Sequence, residues 1–264
     1  MTRVLVAVPA HDEADEIGGC LSSVVAAASC ALGDGTCSEV SIGVALHRCT
    51  DTTKEVVERT IRSWADRVVL DDEESGNVGA VRAGLVRALS SSTRAEPSTT
   101  WIFNTDADSR VPEDWITSTL RLVARSDSTA AAGMVDLREW SAPLDLLDEY
   151  NRLLATGIRG ADHSHVYGAN LAVRLDAYDR AGGFRPVHAE DHDLVDRLRL
   201  AGESVATLLA PVVLTSAREP GRAAGGLGTL LHDLRLSRDA RTDADTFTRR
   251  GGGGFAAAEG MLGR

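Results

Sequence analysis

Trp101-Ile102-Phe103-Asn104-Thr105-Asp106-Ala107-Asp108 runs from bulky apolar side chains into two carboxylates. Its apolar part reads as a short buried strand. Carboxylates two residues apart at the exit of such a strand can meet at one hard divalent ion. Such an ion keeps positions open for diphosphate oxygens and neutralises charge on a leaving group. The competing reading is a plain loop in which Pro112 and Glu113 begin the next helix.

Outward from this stretch the same alternation repeats. Val4 to Val8 is apolar and ends at Pro9, and Ile17, Leu21, Val24 and Val25 follow at helical spacing. Val40 to Leu46 precedes a helical pattern at Val56, Val57 and Ile61, and Arg67 to Leu70 precedes one at Val78, Val81, Leu85 and Leu89. Trp115, Leu120 and Val123 mark a helix after the carboxylate pair. Four strand–helix units in succession predict an α/β fold with a mainly parallel central sheet, right-handed crossovers and flanking helices.

Beyond about Ala130 the rhythm changes. Ala130 to Trp140 is strand-like, Leu144 to Leu154 helical, Val166 to Arg174 strand-like, and Glu190 to Leu200 helical. One domain is expected over 1–236, in two halves at about 1–128 and 129–236, the second adding the other wall of a cleft. Residues 237–264 carry too little apolar surface to offset their ordering entropy and read as a flexible tail.

The 264 residues are 43% hydrophobic, enough for one large core. A net charge of -11, from 39 acidic and 28 basic side chains, argues against a general nucleic-acid or anionic-membrane partner. Cys20, Cys30, Cys37 and Cys49 form no Cys-x-x-Cys pair, so no zinc site is expected; they read as reduced thiols of a cytoplasmic protein. The apolar start meets Asp12 and Glu13 too soon for a signal peptide, and no apolar run approaches the length of a membrane span.

Ligands of open parallel sheets bind beyond the carboxyl ends of the strands. There the chain collects His11, Asp12 and Glu13, then His47, Arg48, Thr50 and Asp51, then Asp71 and Asp72, then Asp106 and Asp108. Glu13 and Asp51, taken singly, fit helix caps or loop residues as well as ligands. Asn77 to Gly84 opens a helix with small residues. These either admit a substrate to the backbone, with Arg82 near its phosphates, or pack the helix tightly. Gly168-Ala169-Asn170 is either an approach for acceptor or sugar or a structural bend. Asp191 shares the apolar stripe of Leu194, Val195 and Leu198. A carboxylate facing inward there suits a general base for an acceptor hydroxyl, with capping as the competing role. Glu190 is expected at the acceptor or the loop, and Asp193 in solvent.

In this order the motifs resemble the family-2 glycosyltransferases with the GT-A fold, over about residues 3–216. Val6 to Glu13 is similar to the opening strand and its Pro-x-x-Asn-Glu turn. Thr50-Asp51-x-Thr53, Asn77 to Gly84, Asp106-Ala107-Asp108, Gly168-Ala169-Asn170, Gly182-Gly183-Phe184 and Glu190-Asp191 match later motifs. The resemblance implies an NDP-sugar donor of UDP or GDP type. It also implies Mg²⁺ or Mn²⁺ at Asp106 and Asp108, and direct displacement with Asp191 as base. Pro9, His11, Glu13, Asp51, Asn77 and Arg82 would line the donor, and Gly168, Asn170 and Glu190 the acceptor, which would be a small molecule, a glycan or a lipid-linked sugar. Arg218 and Arg222 lie in a candidate lid. Two departures leave the nucleobase open: Leu46 and His47 stand where the family carries adjacent acids, and Asp12 where it carries Asn. Retaining transfer or nucleotidyl transfer on the same fold, or nucleotide-sugar binding without turnover, are the alternatives.

Overall fold

The computed structural model describes residues 1–92, 96–219 and 226–251, with side chains through Arg241. Its strands are β1 (Arg3–Ala10), β2 (Glu39–His47), β3 (Arg67–Asp72), β4 (Thr100–Asn104), β5 (Ala130–Arg138), β6 (Ile158–Arg159), β7 (Asp162–His163), β8 (Leu171–Arg174) and β9 (Val205–Ser216). The helices are α1 (Ile17–Gly33), α2 (Thr53–Thr60), α3 (Val78–Ser92), α4 (Trp115–Arg125), α5 (Leu144–Thr156), α6 (Leu175–Arg180), α7 (Glu190–Leu200) and α8 (Leu227–Gly251).

Seven strands form one sheet in the order β3-β2-β1-β4-β8-β5-β9, and β6 pairs with β7 alone. The first four strands are mutually parallel, as the alternating pattern predicts. Val4 to Val8 of β1 are all 0% exposed, the continuous apolar run required of a strand covered on both faces. Helix α1 buries Ile17, Cys20, Leu21, Val24, Ala27, Ala28 and Ala31, one stripe at helical spacing. Strand β8 runs antiparallel to both β4 and β5, and β9 runs parallel to β5. The carboxyl ends of β1 to β5 and of β9 therefore share one edge of the sheet.

One expectation shifts. The strand expected over Val166 to Arg174 is confined to Leu171–Arg174, because Gly168–Asn170 turns as a short 3-10 helix. Asn170 causes the turn by facing inward: its amide donates to Met134 O at 2.8 Å and Pro211 O at 3.0 Å, and its Oδ1 accepts from Trp115 at 2.9 Å. The chain also divides into two compact units, Met1–Trp140 with Leu153–Ala217, and Ser141–Arg152 with Arg218–Arg264. Within the second, helix α8 continues through 237–251, a stretch read from composition as tail. Arg238 pairs with Asp145 and Arg241 with Glu149, both at 2.6 Å, contacts that composition does not reveal. Arg222 and residues 252–264 lie outside the described residues. No described helix is long and apolar enough to cross a membrane, and the four cysteines are free thiols.

Candidate active site

The loops after β1 and β2 hold each other in shape. Asp12 sits in the left-handed region at φ 51, which Asp tolerates better than most residues. Its Oδ1 accepts from the amides of Thr50 at 2.6 Å and Asp51 at 3.2 Å. Asp51 in return accepts from the amides of Ala14 at 3.1 Å and Thr53 at 2.9 Å, and the Thr53 hydroxyl donates to it as well. The Thr53 hydroxyl also accepts from the Glu13 amide at 2.8 Å, with the Glu13 side chain buried at 7% exposure. Thr50 hydrogen bonds hold the Asp12 carboxyl below its usual range, against the opposing pull of partial burial. Pro9 lies in β1 opposite Ala45 of β2, beyond the last β1–β4 pair, Ala7 with Asn104.

At the two departures from the family pattern, Leu46 is buried and His47 faces β3. The Nδ1 of His47 is 3.2 Å from Asp72 O and 3.8 Å from the Asp72 carboxylate. His11 Nδ1 lies 2.7 Å from His47 O, and the two imidazole centroids are 5.8 Å apart. Burial pushes the Asp72 carboxyl up. Hydrogen bonds from Ser75 and Glu74 and the nearby His47 outweigh that and hold it low. Asn77 caps α3, accepting from the Ala80 amide at 3.0 Å.

The central side chain is Arg82, 2% exposed on α3. Its Nη2 donates to Asp106 Oδ1 at 2.5 Å and its Nε to Glu190 Oε1 at 3.1 Å. Burial disfavours its charged form; Asp106, Glu190 and Asp191 more than offset this and push the guanidinium above its ordinary value. Arg82, read either as a phosphate neighbour or as part of a tightly packed helix start, and Glu190, read at the acceptor or the loop, pair with each other. Gly79 is likewise occupied by the protein itself. A Cβ there would meet Arg185 O at 2.1 Å and Glu190 Cβ at 2.9 Å, so its small size admits the segment before α7. The turn into α7 passes through Ala189 at φ 52, an uncommon conformation for a residue with a Cβ.

Asp191 is half-buried. Its Oδ2 accepts from the Gly168 amide at 2.8 Å and its Oδ1 from the His192 amide at 2.8 Å. Gly168 packs on Arg82, whose Nη2 a Cβ would meet at 2.7 Å. Asp193, expected in solvent, pairs with Arg197 at 2.7 Å. One cluster therefore gathers Asp106, Arg82, Glu190, Gly168 and Asp191, while the Asn170 amide acts as a rivet inside the sheet.

Asp108 accepts from the Thr215 hydroxyl at 3.3 Å, and Thr215 in turn accepts from Ser109 at 3.0 Å. Sequence reading missed this, together with a second ion cluster. Glu16 takes Arg110 Nη2 at 2.8 Å and Arg138 Nη2 at 2.7 Å, joining the start of α1 to the loop after β4 and the end of β5. The three residues are spread along the chain and form no motif.

Hard oxygen donors at Asp106 and Asp108 suit Mg²⁺ or Mn²⁺, and the Asp106 side chain is 39% exposed although Arg82 takes one oxygen. No group of three or more His, Cys, Asp or Glu able to hold a metal occurs among the described residues. Two carboxylates would leave the rest of such an ion's coordination to substrate and water oxygens.

Comparison with known proteins agrees with the architecture. Among solved structures, a mannosyltransferase from Pyrobaculum calidifontis in complex with GDP-Man and Mn²⁺ superposes with a TM-score of 0.64 at 20% identity, covering 83% of this chain and 58% of that one. S. aureus TarS 1–349 in complex with UDP-GlcNAc gives 0.60 at 16% identity, covering 86% and 61%. The chain thus spans about three-fifths of the length of these structures. No curated protein matches it in sequence. The model of Glycosyl transferase family 2 matches residues 5–180, which contain the sheet core, both acidic strand ends and the Asp-x-Asp. The chain belongs to glycosyl transferase family 2.

Proposed function

We propose that this chain is a metal-dependent inverting glycosyltransferase. It would move a sugar from a UDP- or GDP-type donor to a hydroxyl of a small molecule, glycan or lipid-linked acceptor. One observation carries the reading: Arg82 contacts both Asp106 and Glu190, which brings the Asp-x-Asp and the first turn of α7 into a single site. Metal and donor class are supported by the GDP-Man, Mn²⁺ and UDP-GlcNAc found with the two similar structures. The reduced thiols and the absence of a described membrane-crossing helix accord with work in the cytoplasm.

Asp106 and Asp108 would hold Mg²⁺ or Mn²⁺, with Thr215 orienting Asp108. The bound cation would neutralise charge gathering on the departing diphosphate. Asp191, oriented by the amides of Gly168 and His192, would accept the acceptor hydroxyl's proton. The freed oxygen attacks the anomeric carbon as its bond to the diphosphate breaks, which inverts the configuration. Asp12, Asp51 and Asn77 shape the donor loops through their backbone contacts.

Replacing the base tests this. Asp191→Asn should lower transfer by about a hundredfold or more, the scale of lost general-base catalysis. Calorimetric affinity for Mn²⁺ with UDP or GDP should stay at the wild-type value. Full-rate transfer by the variant would remove Asp191 from the mechanism.

A further inference from the structure

Arg82 is too buried to act as an ordinary surface cation, and its donors are unevenly used. Two of its nitrogens serve Asp106 and Glu190, while Nη1 is buried with no hydrogen-bond partner among the described residues. The Phe184 ring lies 5.8 Å from its Cζ, and Gly168 passes close over Nη2. A guanidinium so enclosed has little rotamer freedom, and its planar fork fixes the angle between its two carboxylate partners. Those partners lie on different sides of the proposed reaction. Asp106 belongs to the cation and leaving group, and Glu190 begins the helix that carries Asp191. Gly79 completes the joint by letting the 185–190 segment come down on α3.

We propose that Arg82 is a positioning residue: a strut that sets the spacing between the Asp106 end of β4 and the first turn of α7, and so between leaving group and base. This rests on the glycosyltransferase reading above but assigns Arg82 a task other than holding donor phosphates. Loss of the strut would leave the carboxylates of Asp106, Glu190 and Asp191 mutually repelling. It should harm the step that needs both sides aligned more than it harms donor capture.

The experiment is hydrolysis of UDP-glucose, UDP-N-acetylglucosamine and GDP-mannose by the full chain with Mn²⁺, using the donor turned over fastest. In Arg82→Gln, kcat should fall about a hundredfold while donor KM stays within about threefold, the pattern of a lost alignment. Glu190→Gln should act in the same direction. The double variant should be no worse than the weaker single variant by more than about threefold, because both break one joint. Arg82→Lys, which keeps the charge but not the fork, should recover only part of kcat. A raised KM with unchanged kcat would make Arg82 a donor ligand and overturn the strut, as would losses that multiply in the double variant. If Arg82→Gln gives no cooperative melting transition, Glu190→Gln decides, and its full kcat would refute the proposal. Absence of Mn²⁺-dependent turnover in the wild type would instead refute the glycosyltransferase reading itself.

Discussion

Along the sheet edge, the β1–β3 side and the β5–β9 side use their polar side chains in opposite ways. On the first, they satisfy backbone amides of the loops: Asp12 those of Thr50 and Asp51, Asp51 those of Ala14 and Thr53, Asp72 those of Glu74 and Ser75, Asn77 that of Ala80. On the second, they hold packed helices, strands and turns of the core to one another. Asn170 joins Trp115, Met134 and Pro211, Glu190 joins Arg82, and Asp191 joins Gly168. Loops of the first kind take their shape from donors that every helix start leaves unpaired. Geometry of the second kind depends on the core being assembled. The proposed base therefore stands on the part of the molecule whose placement is most sensitive to packing.

The two asparagines offer the sharpest contrast. Asn170→Ala would strand the buried Trp115 indole N–H and the carbonyls of Met134 and Pro211. Its expected cost is about 3 kcal/mol or more, summed from unsatisfied buried groups, read as a lowered urea midpoint. Asn77→Ala removes one cap at the start of α3 and should cost about 1 kcal/mol by the same measurement. Equal costs would abolish the distinction between a rivet and a cap.

This contrast also explains what could be read before folding. Helical spacing located α1 to α5 and α7, and continuous apolar runs located β1 to β5, because each pattern is local. Asp106, Asp108, Glu190 and Asp191 were found as motifs. Strand β9 is not among the sequence expectations: it lies at a sheet edge, its first six residues are half-buried or exposed, and burial alternates only from Pro211 onward. The tasks of Arg82 and Asn170 were hidden for a different reason. Arg82 meets Glu190 across 108 residues and Asn170 meets Trp115 across 55, so no window of sequence contains both partners. Small residues at Gly79 and Gly168 were visible, but the groups they make room for, Arg185 and Arg82, belong to other elements.

The smallest effect is expected where a long-range cluster reaches solvent. Glu16, paired with Arg110 and Arg138, is 24% exposed, so water screens its attraction and the cluster should contribute about 1 kcal/mol or less. Burial pushes its carboxyl up, but the hydrogen bonds and charges of Arg138 and then Arg110 win and hold it below the usual carboxylate range. Folded Glu16 therefore gives up its proton more readily than the unfolded chain does. Its contribution is complete above the unfolded value and fades as pH falls through the folded one. Glu16→Gln cannot titrate, so the variant should start less stable at neutral pH. Urea midpoints followed from neutral to acid pH should show the two curves converging as the wild type loses this contribution. Curves that fall in parallel would mean that these arginines stabilise nothing through Glu16. The long-range ties that matter would then be confined to the buried joint at Arg82 and the rivet at Asn170.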